Sequence, residues 1–263
     1  MKILRTALFT AMIVAGTAQS IGASAAPKPV ASANASDAPI VVLVHGAFAD
    51  GSSWDKVIPL LQARGLKVVA VQNPLTSLAE DVAFTNRVID AQTGPVVLVG
   101  HSWGGTVITQ AGVNDKVKAL VYVAAFAPSV GETSLDGVKT FPASPGLAHP
   151  IATADGFLTL SADSVRKDFA QDVPAAQANL IATTQGAVRG KNFEEKLTAA
   201  AWMSKPSWYI VAKNDRMIHP DAERAYAKKI KATTTTLATS HVPMVSKPQD
   251  VVNVIAAAAK AAR

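Results

Sequence analysis

Gly100-His101-Ser102-Trp103-Gly104 fits the pattern G-x-S-x-G, placed between an apolar run at 96–99 and a helical stretch at 104–111. A sharp strand-to-helix turn there strains the serine backbone, the flanking glycines let strand and helix approach closely, and the hydroxyl projects into a cleft. A serine hydroxyl is a weak nucleophile at neutral pH, so attack on a carbonyl needs a neutral imidazole to take its proton. Of the five histidines, His45 and His101 belong to the loops beside the first strand and the serine, while His149 and His219 each precede a proline. His241, in the loop 238–242 after the last strand, stands where the base belongs in the chain order serine, acid, histidine.

A carboxylate must then hold the imidazole in the right tautomer, and Asp215 follows the apolar run 208–212. Asp115, Asp136, Asp155, Asp163, Asp168 and Asp172 follow no buried strand closely, and Asp221 reads as a charge in the first turn of a helix. Glu132, after the run 119–123, is the rival acid. Negative charge growing on the substrate oxygen calls for backbone donors already aimed at it. The loop His45-Gly46-Ala47-Phe48 after the first strand can bring the amide of Ala47 or Phe48 to the site, and Trp103 supplies a second amide. His45 itself reads as a residue that orders this loop.

These residues need a frame. Short apolar runs at 40–44, 68–71, 96–99, 119–123, 208–212 and 234–237 alternate with amphipathic stretches, the pattern of strands buried between two layers of helices. The fold class expected is α/β, a mostly parallel six-stranded sheet flanked by helices. Ser77-Leu78-Ala79-Glu80 is a capping box opening a helix to about Gln92, and Pro220 and Pro248 sit at first-turn positions of two later helices. From 128 to about 204 the alternation breaks into a Gly- and Pro-rich loop followed by helical patterns at 161–170 and 174–183, read as a small helical cap over the sheet.

Ahead of the sheet, residues 1–25 read as a secretory signal: Lys2 and Arg5 lead an apolar stretch too short to span a bilayer, and Ala23-Ser24-Ala25 supplies a small-residue cleavage pattern with the cut after Ala25. Residues 26–39 read as a flexible leader and 40–263 as one domain, so the expected destination is the periplasm or the medium, with no stable membrane anchor. Hydrophobic types make up 49% of 263 residues, enough for one core and not two. The formal charge of +6 falls to +4 without Lys2 and Arg5, and no basic run is interleaved with aromatics, so nucleic acid is not an expected partner. The chain has no cysteine, which excludes a thiolate nucleophile, a thiolate metal site and a disulfide framework.

With these residues in place, the chain resembles the α/β-hydrolase superfamily, and within it the small-lid branch of plant methylesterases, hydroxynitrile lyases and bacterial esterase-like relatives. The likeness runs from Ile40 to the C-terminus. It rests on Val-Leu-Val-His-Gly-Ala-Phe at 42–48 with Trp54 downstream, Gly-His-Ser-Trp-Gly-Gly at 100–105, Ala-Ala-Phe-Ala-Pro at 124–128, Asn-Asp-Arg-Met-Ile at 214–218, and Ser-His-Val-Pro-Met at 240–244 followed by Lys247-Pro248. The resemblance implies two-step acyl transfer by Ser102, His241 and Asp215 on a small-molecule ester, without metal or organic cofactor. Lyases of the branch carry threonine after the first-strand histidine and lysine after the catalytic one, where this chain has Gly46 and Val242, so the ester-hydrolase reading fits better. Ser102 excludes the aspartate-nucleophile dehalogenases; perhydrolysis, ligand sensing and a hydroxynitrile lyase on the same triad stay open as alternatives. The compact cap suggests a small, largely apolar ester, with Phe48, Trp103 and Met217 as pocket-lining candidates.

Overall fold

The computed structural model describes residues 38–262. The signal segment and nearly all of the leader read from the sequence lie outside the described residues. Six parallel strands form the sheet: β1 (Ile40–Val44), β2 (Lys67–Val71), β3 (Val96–His101), β4 (Val117–Val123), β8 (Ser207–Ala212) and β9 (Thr233–Leu237), in the order β2-β1-β3-β4-β8-β9. All six are those expected from the apolar runs, with ends shifted by at most two residues. β1 and β3 are buried along their whole length, and each valine or leucine taken out of water there contributes roughly 1.5–3 kcal/mol. The end strands differ from the expectation of burial on both faces: β2 and β9 are each largely exposed or half-buried. The threonines of β9 suit that position, being β-branched for the pleat and polar for the water an edge strand meets.

Helices cover both faces. α1 (Ile58–Gln62) precedes β2, and α2 (Leu78–Asp90) follows it, opened by the Ser77 hydroxyl accepting the Glu80 amide at 3.1 Å. The reciprocal half of the capping box is not made, because the Glu80 carboxylate turns to the Thr76 hydroxyl. α3 (Trp103–Ala111) follows β3 directly.

Between β4 and β8 the chain leaves the sheet. The expected helical patterns are α4 (Ala162–Ser164), running on as a π-helical turn at Val165–Phe169, and α5 (Ala175–Thr184). This insertion also carries a small antiparallel sheet, β5 (Ile151–Ala152), β6 (Phe157–Thr159) and β7 (Val188–Arg189), which the helical reading of the cap did not include. Strands of two or three residues are too short to show an alternation in sequence. α6 (Pro220–Lys229), α7 (Pro243–Ser246) and α8 (Pro248–Ala261) complete the fold, α6 and α8 starting on the prolines expected to start them.

The register decides what meets what. After β1 the chain moves outward to β2 and then returns to the far side of β1 as β3, so the strand order reverses between β1 and β3, where α/β sheets open a crevice at their carboxyl ends. Val44 lies beside Gly100, which sets the loop 45–48 against the turn 101–102. On the other side Ala212 lies beside Leu237, which aligns the loops carrying Asp215 and His241.

Candidate active site

Ser102 sits between β3 and α3 with φ 52° and ψ −120°, a left-handed strain that a serine rarely adopts and that marks it for a function needing this pose. The surroundings leave no alternative. A Cβ on Gly100 would stand 2.5 Å from the Gly104 carbonyl, and one on Gly104 would stand 2.6 Å from that of Val44. The turn is tied down by the Ser102 amide donating to the Val123 carbonyl at 3.2 Å and the Ser102 carbonyl accepting from Gly105 and Phe126.

Asp215 and His241 are both buried, and the imidazole Nδ1 donates to Asp215 Oδ2 at 2.5 Å. The other carboxylate oxygen accepts the amides of Met217 at 2.6 Å and Ile218 at 2.9 Å, so the aspartate cannot rotate without losing two backbone bonds. With Nδ1–H committed, the His241 Nε2 lone pair is left for the cavity it shares with Ser102. No hydrogen bond joins Ser102 Oγ to His241 among the described residues; such contacts in resting hydrolases tighten when substrate binds. Glu132, the rival acid, lies elsewhere, bonded to the Ser129 amide and to Lys229.

Two further histidines build the frame. His45 Nδ1 donates to the Gly46 carbonyl and Nε2 accepts the Asn73 amide, both at 2.9 Å, which fixes a neutral ring and orders the loop as expected. Burial holds its pKa below the ordinary histidine value. His101 is buried and kept well below that value by burial and by its neighbour His241; its Nε2 donates to the His241 backbone carbonyl at 2.8 Å. His101, one residue before Ser102, thus holds the loop that carries His241, a role the sequence did not reveal. From the insertion, the Phe169 ring stands edge-on to His241 at 5.2 Å, and Asp172 accepts the Ser240 amide at 2.8 Å.

The amides of Ala47, Phe48 and Trp103 donate to no acceptor among the described residues. Trp103 directly follows Ser102 at the start of α3, and Phe48 holds a positive φ of 57° in the loop that carries Ala47 and Phe48 beside the cavity of Ser102. The cavity above Ser102 is lined by Ala47, Phe48, Phe126, Leu147, Phe193, Met217, Ile218 and His241, with no lysine or arginine. Phe48 and Met217 therefore lie where the pocket reading put them, whereas the Trp103 side chain does not. Its indole points into the core, donates from Nε1 to Asp81 Oδ2 at 2.7 Å and packs against Phe193, so only its amide faces the site. Phe126 stands in the motif 124–128, while Leu147 and Phe193 come from the insertion, whose sequence gave no sign of them. The cavity holds only about 10 Å³, room for roughly one water molecule. Phe126, Leu147 and Met217 also line an adjoining recess of about 70 Å³ that touches His219. Among the described residues no cluster of three or more His, Cys, Asp or Glu is arranged to hold a metal ion, and no helix is long and apolar enough to cross a membrane.

A strained serine after a buried parallel strand, with an aspartate–histidine pair delivered from two later strands, defines the serine α/β-hydrolase arrangement. The profile of the alpha/beta hydrolase family matches residues 41–254, and the chain belongs to that family. It is 30% identical over 246 residues to the probable hydrolase R7 of a Phoma species, spanning 83% of this chain and 97% of that protein. It is 26% identical to methylesterase 8 of Arabidopsis thaliana, over 79% of this chain and 85% of the relative. Among solved structures, a pyrethroid hydrolase from Sphingobium faniae JZ-2 shares the fold with a TM-score of 0.71 at 22% identity, covering 84% of this chain and 97% of its own.

Proposed function

We propose that the protein hydrolyses small, largely apolar carboxylic esters, with Ser102 as nucleophile, His241 as general base and acid, and Asp215 as the residue that orients His241. Ser102 Oγ attacks the carbonyl carbon while His241 Nε2 takes its proton, and the oxyanion settles among the amides of Ala47, Phe48 and Trp103. His241 returns that proton to the departing alcohol, leaving an acyl-serine; water, deprotonated by the same nitrogen, then releases the acid. The observation that carries this reading is the buried His241–Asp215 bond opening onto the same cavity as the strained Ser102. The names of the relatives point to the same chemistry. An apolar ester is favoured because carbon side chains dominate the cavity wall and no cation stands in it. A lyase-like threonine at position 46 has no room, since a Cβ there would stand 2.7 Å from Ser102 Cβ.

The test is hydrolysis of p-nitrophenyl esters of graded acyl length by the chain from Ala26, beside Ser102→Ala and His241→Ala. Turnover of short acyl chains that falls by orders of magnitude in both variants supports the reading. Inert wild type, with ligand-dependent stabilisation in its place, would favour a sensor, and cyanide release from a cyanohydrin would favour a lyase. Export with cleavage after Ala25 belongs to the same proposal, and N-terminal sequencing of protein recovered outside the cytoplasm tests it.

A further inference from the structure

We infer that Glu223 is a protonated acid that donates a hydrogen bond to Asp215, making it a positioning residue that sets how strongly Asp215 draws on His241. This rests on the triad proposed above. Glu223 lies in the first turn of α6, where an acid ordinarily faces water, yet its side chain is fully buried under the end of β8. One carboxyl oxygen, Oε2, accepts the Ala212 amide at 2.8 Å. The other, Oε1, is buried with no hydrogen-bond partner among the described residues, and the carboxyl that acts on Glu223 most strongly is that of Asp215.

Two carboxylates cannot share a buried contact as anions, so one of them holds a proton. Asp215 receives three donors, the amides of Met217 and Ile218 and the imidazole N–H, whereas Glu223 receives one. The better-solvated anion is Asp215, and the proton sits on Glu223. Burial, and then the charge of Asp215, hold the Glu223 carboxyl well above its ordinary range. Arg224 offsets this least of all the influences on Glu223, because its guanidinium turns to Asp221 at 2.5 Å. The remaining titratable neighbours are Tyr209 on β8 and Tyr226 on α6, with His241 and then His101 beyond Asp215. A Glu223 O–H on the fourth lone pair of Asp215 spreads its negative charge, which weakens its hold on a protonated His241.

Glu223→Gln keeps a donor toward Asp215 and an acceptor for the Ala212 amide; Glu223→Met keeps the length and neither function. At about pH 8, where Asp81, the other carboxyl raised by burial, is ionised, the infrared spectrum of the wild type should show a carboxylic-acid C=O band that Glu223→Gln lacks and Ser102→Ala retains. With the donor gone, Glu223→Met should move the acidic limb of kcat/KM up by about one pH unit, and Glu223→Gln should bring it back. An infrared spectrum unchanged in Glu223→Gln overturns the inference, as does a limb that Glu223→Gln displaces as far as Glu223→Met does. The infrared reading needs no turnover and decides the matter if Glu223→Met does not fold. A chain inert toward esters would therefore refute the proposed function while leaving the state of Glu223 measurable.

Discussion

Asp81 ties the scaffold of the serine turn to the stability of the fold, and the tie has a definite pH dependence. Its carboxylate, buried in the first turn of α2, accepts the Trp103 indole N–H at 2.7 Å and the Leu75 amide at 2.8 Å. Burial is the largest influence and raises its pKa from 3.8 to about 6 against the pull of those two donors, with Glu80 and Glu195 adding a little. The folded chain therefore holds a proton that the unfolded chain has released throughout the window from 3.8 to about 6. Stability from this group is greatest below the window, falls as pH rises through it and levels off above. Two pKa units correspond to about 3 kcal/mol. Asp81→Asn carries no charge at any pH, and its single carbonyl can satisfy only one of the two donors, which costs a roughly constant 1–3 kcal/mol. Urea unfolding of both proteins from about pH 4 to about pH 8 should show the stability of the wild type relative to Asp81→Asn falling by about 2.5 kcal/mol, most of the total from Asp81. Glu223 also titrates high, but it is present in both proteins and cancels. A difference that stays constant over that range would refute the argument that Asp81 is a desolvated anion at neutral pH.

Asp215→Asn turns an amide N–H toward His241 Nδ1 and forces the ring proton onto Nε2; kcat should fall by roughly four orders of magnitude with little change in unfolding midpoint, as steady-state kinetics and thermal melts can check. Gly46→Ala places a methyl 2.7 Å from Ser102 Cβ, so overpacking should cost about 1–3 kcal/mol in denaturant titrations and displace the nucleophile, lowering kcat more than it raises KM. Leu147→Ala removes part of the wall between the cavity over Ser102 and the adjoining recess, and the ratio of kcat/KM for long against short acyl esters should rise at least several-fold; an unchanged ratio would mean that Leu147 does not limit acyl length.

The sheet was legible because its central strands are continuous valine and leucine runs, and the order of serine, acid and histidine followed from which loops leave those strands. Once the register of β1 with β3 and of β8 with β9 is fixed, adjacency does the rest. What stayed hidden depends on partners far along the chain. Trp103 beside a candidate nucleophile reads as a pocket wall, and only Asp81, 22 residues earlier, shows why the indole turns inward. Nothing in the sequence singles out Glu223, since an acid in the first turn of a helix is ordinary there, and its meaning comes from Asp215 and the Ala212 amide across the β8–α6 connection. Leu147 and Phe193 reach the cavity from an insertion whose strands are too short, and whose helices too weakly amphipathic, to announce which side chains face inward.

The central claim is that Ser102 carries the acyl group, and trapping tests it most directly. A fluorophosphonate should label the protein with one equivalent, peptide mass spectrometry should find the label on Ser102, and ester hydrolysis should fall in proportion to labelling. His241→Ala should label far more slowly. A label on another residue, or full hydrolytic activity in protein fully labelled at Ser102, would contradict the mechanism.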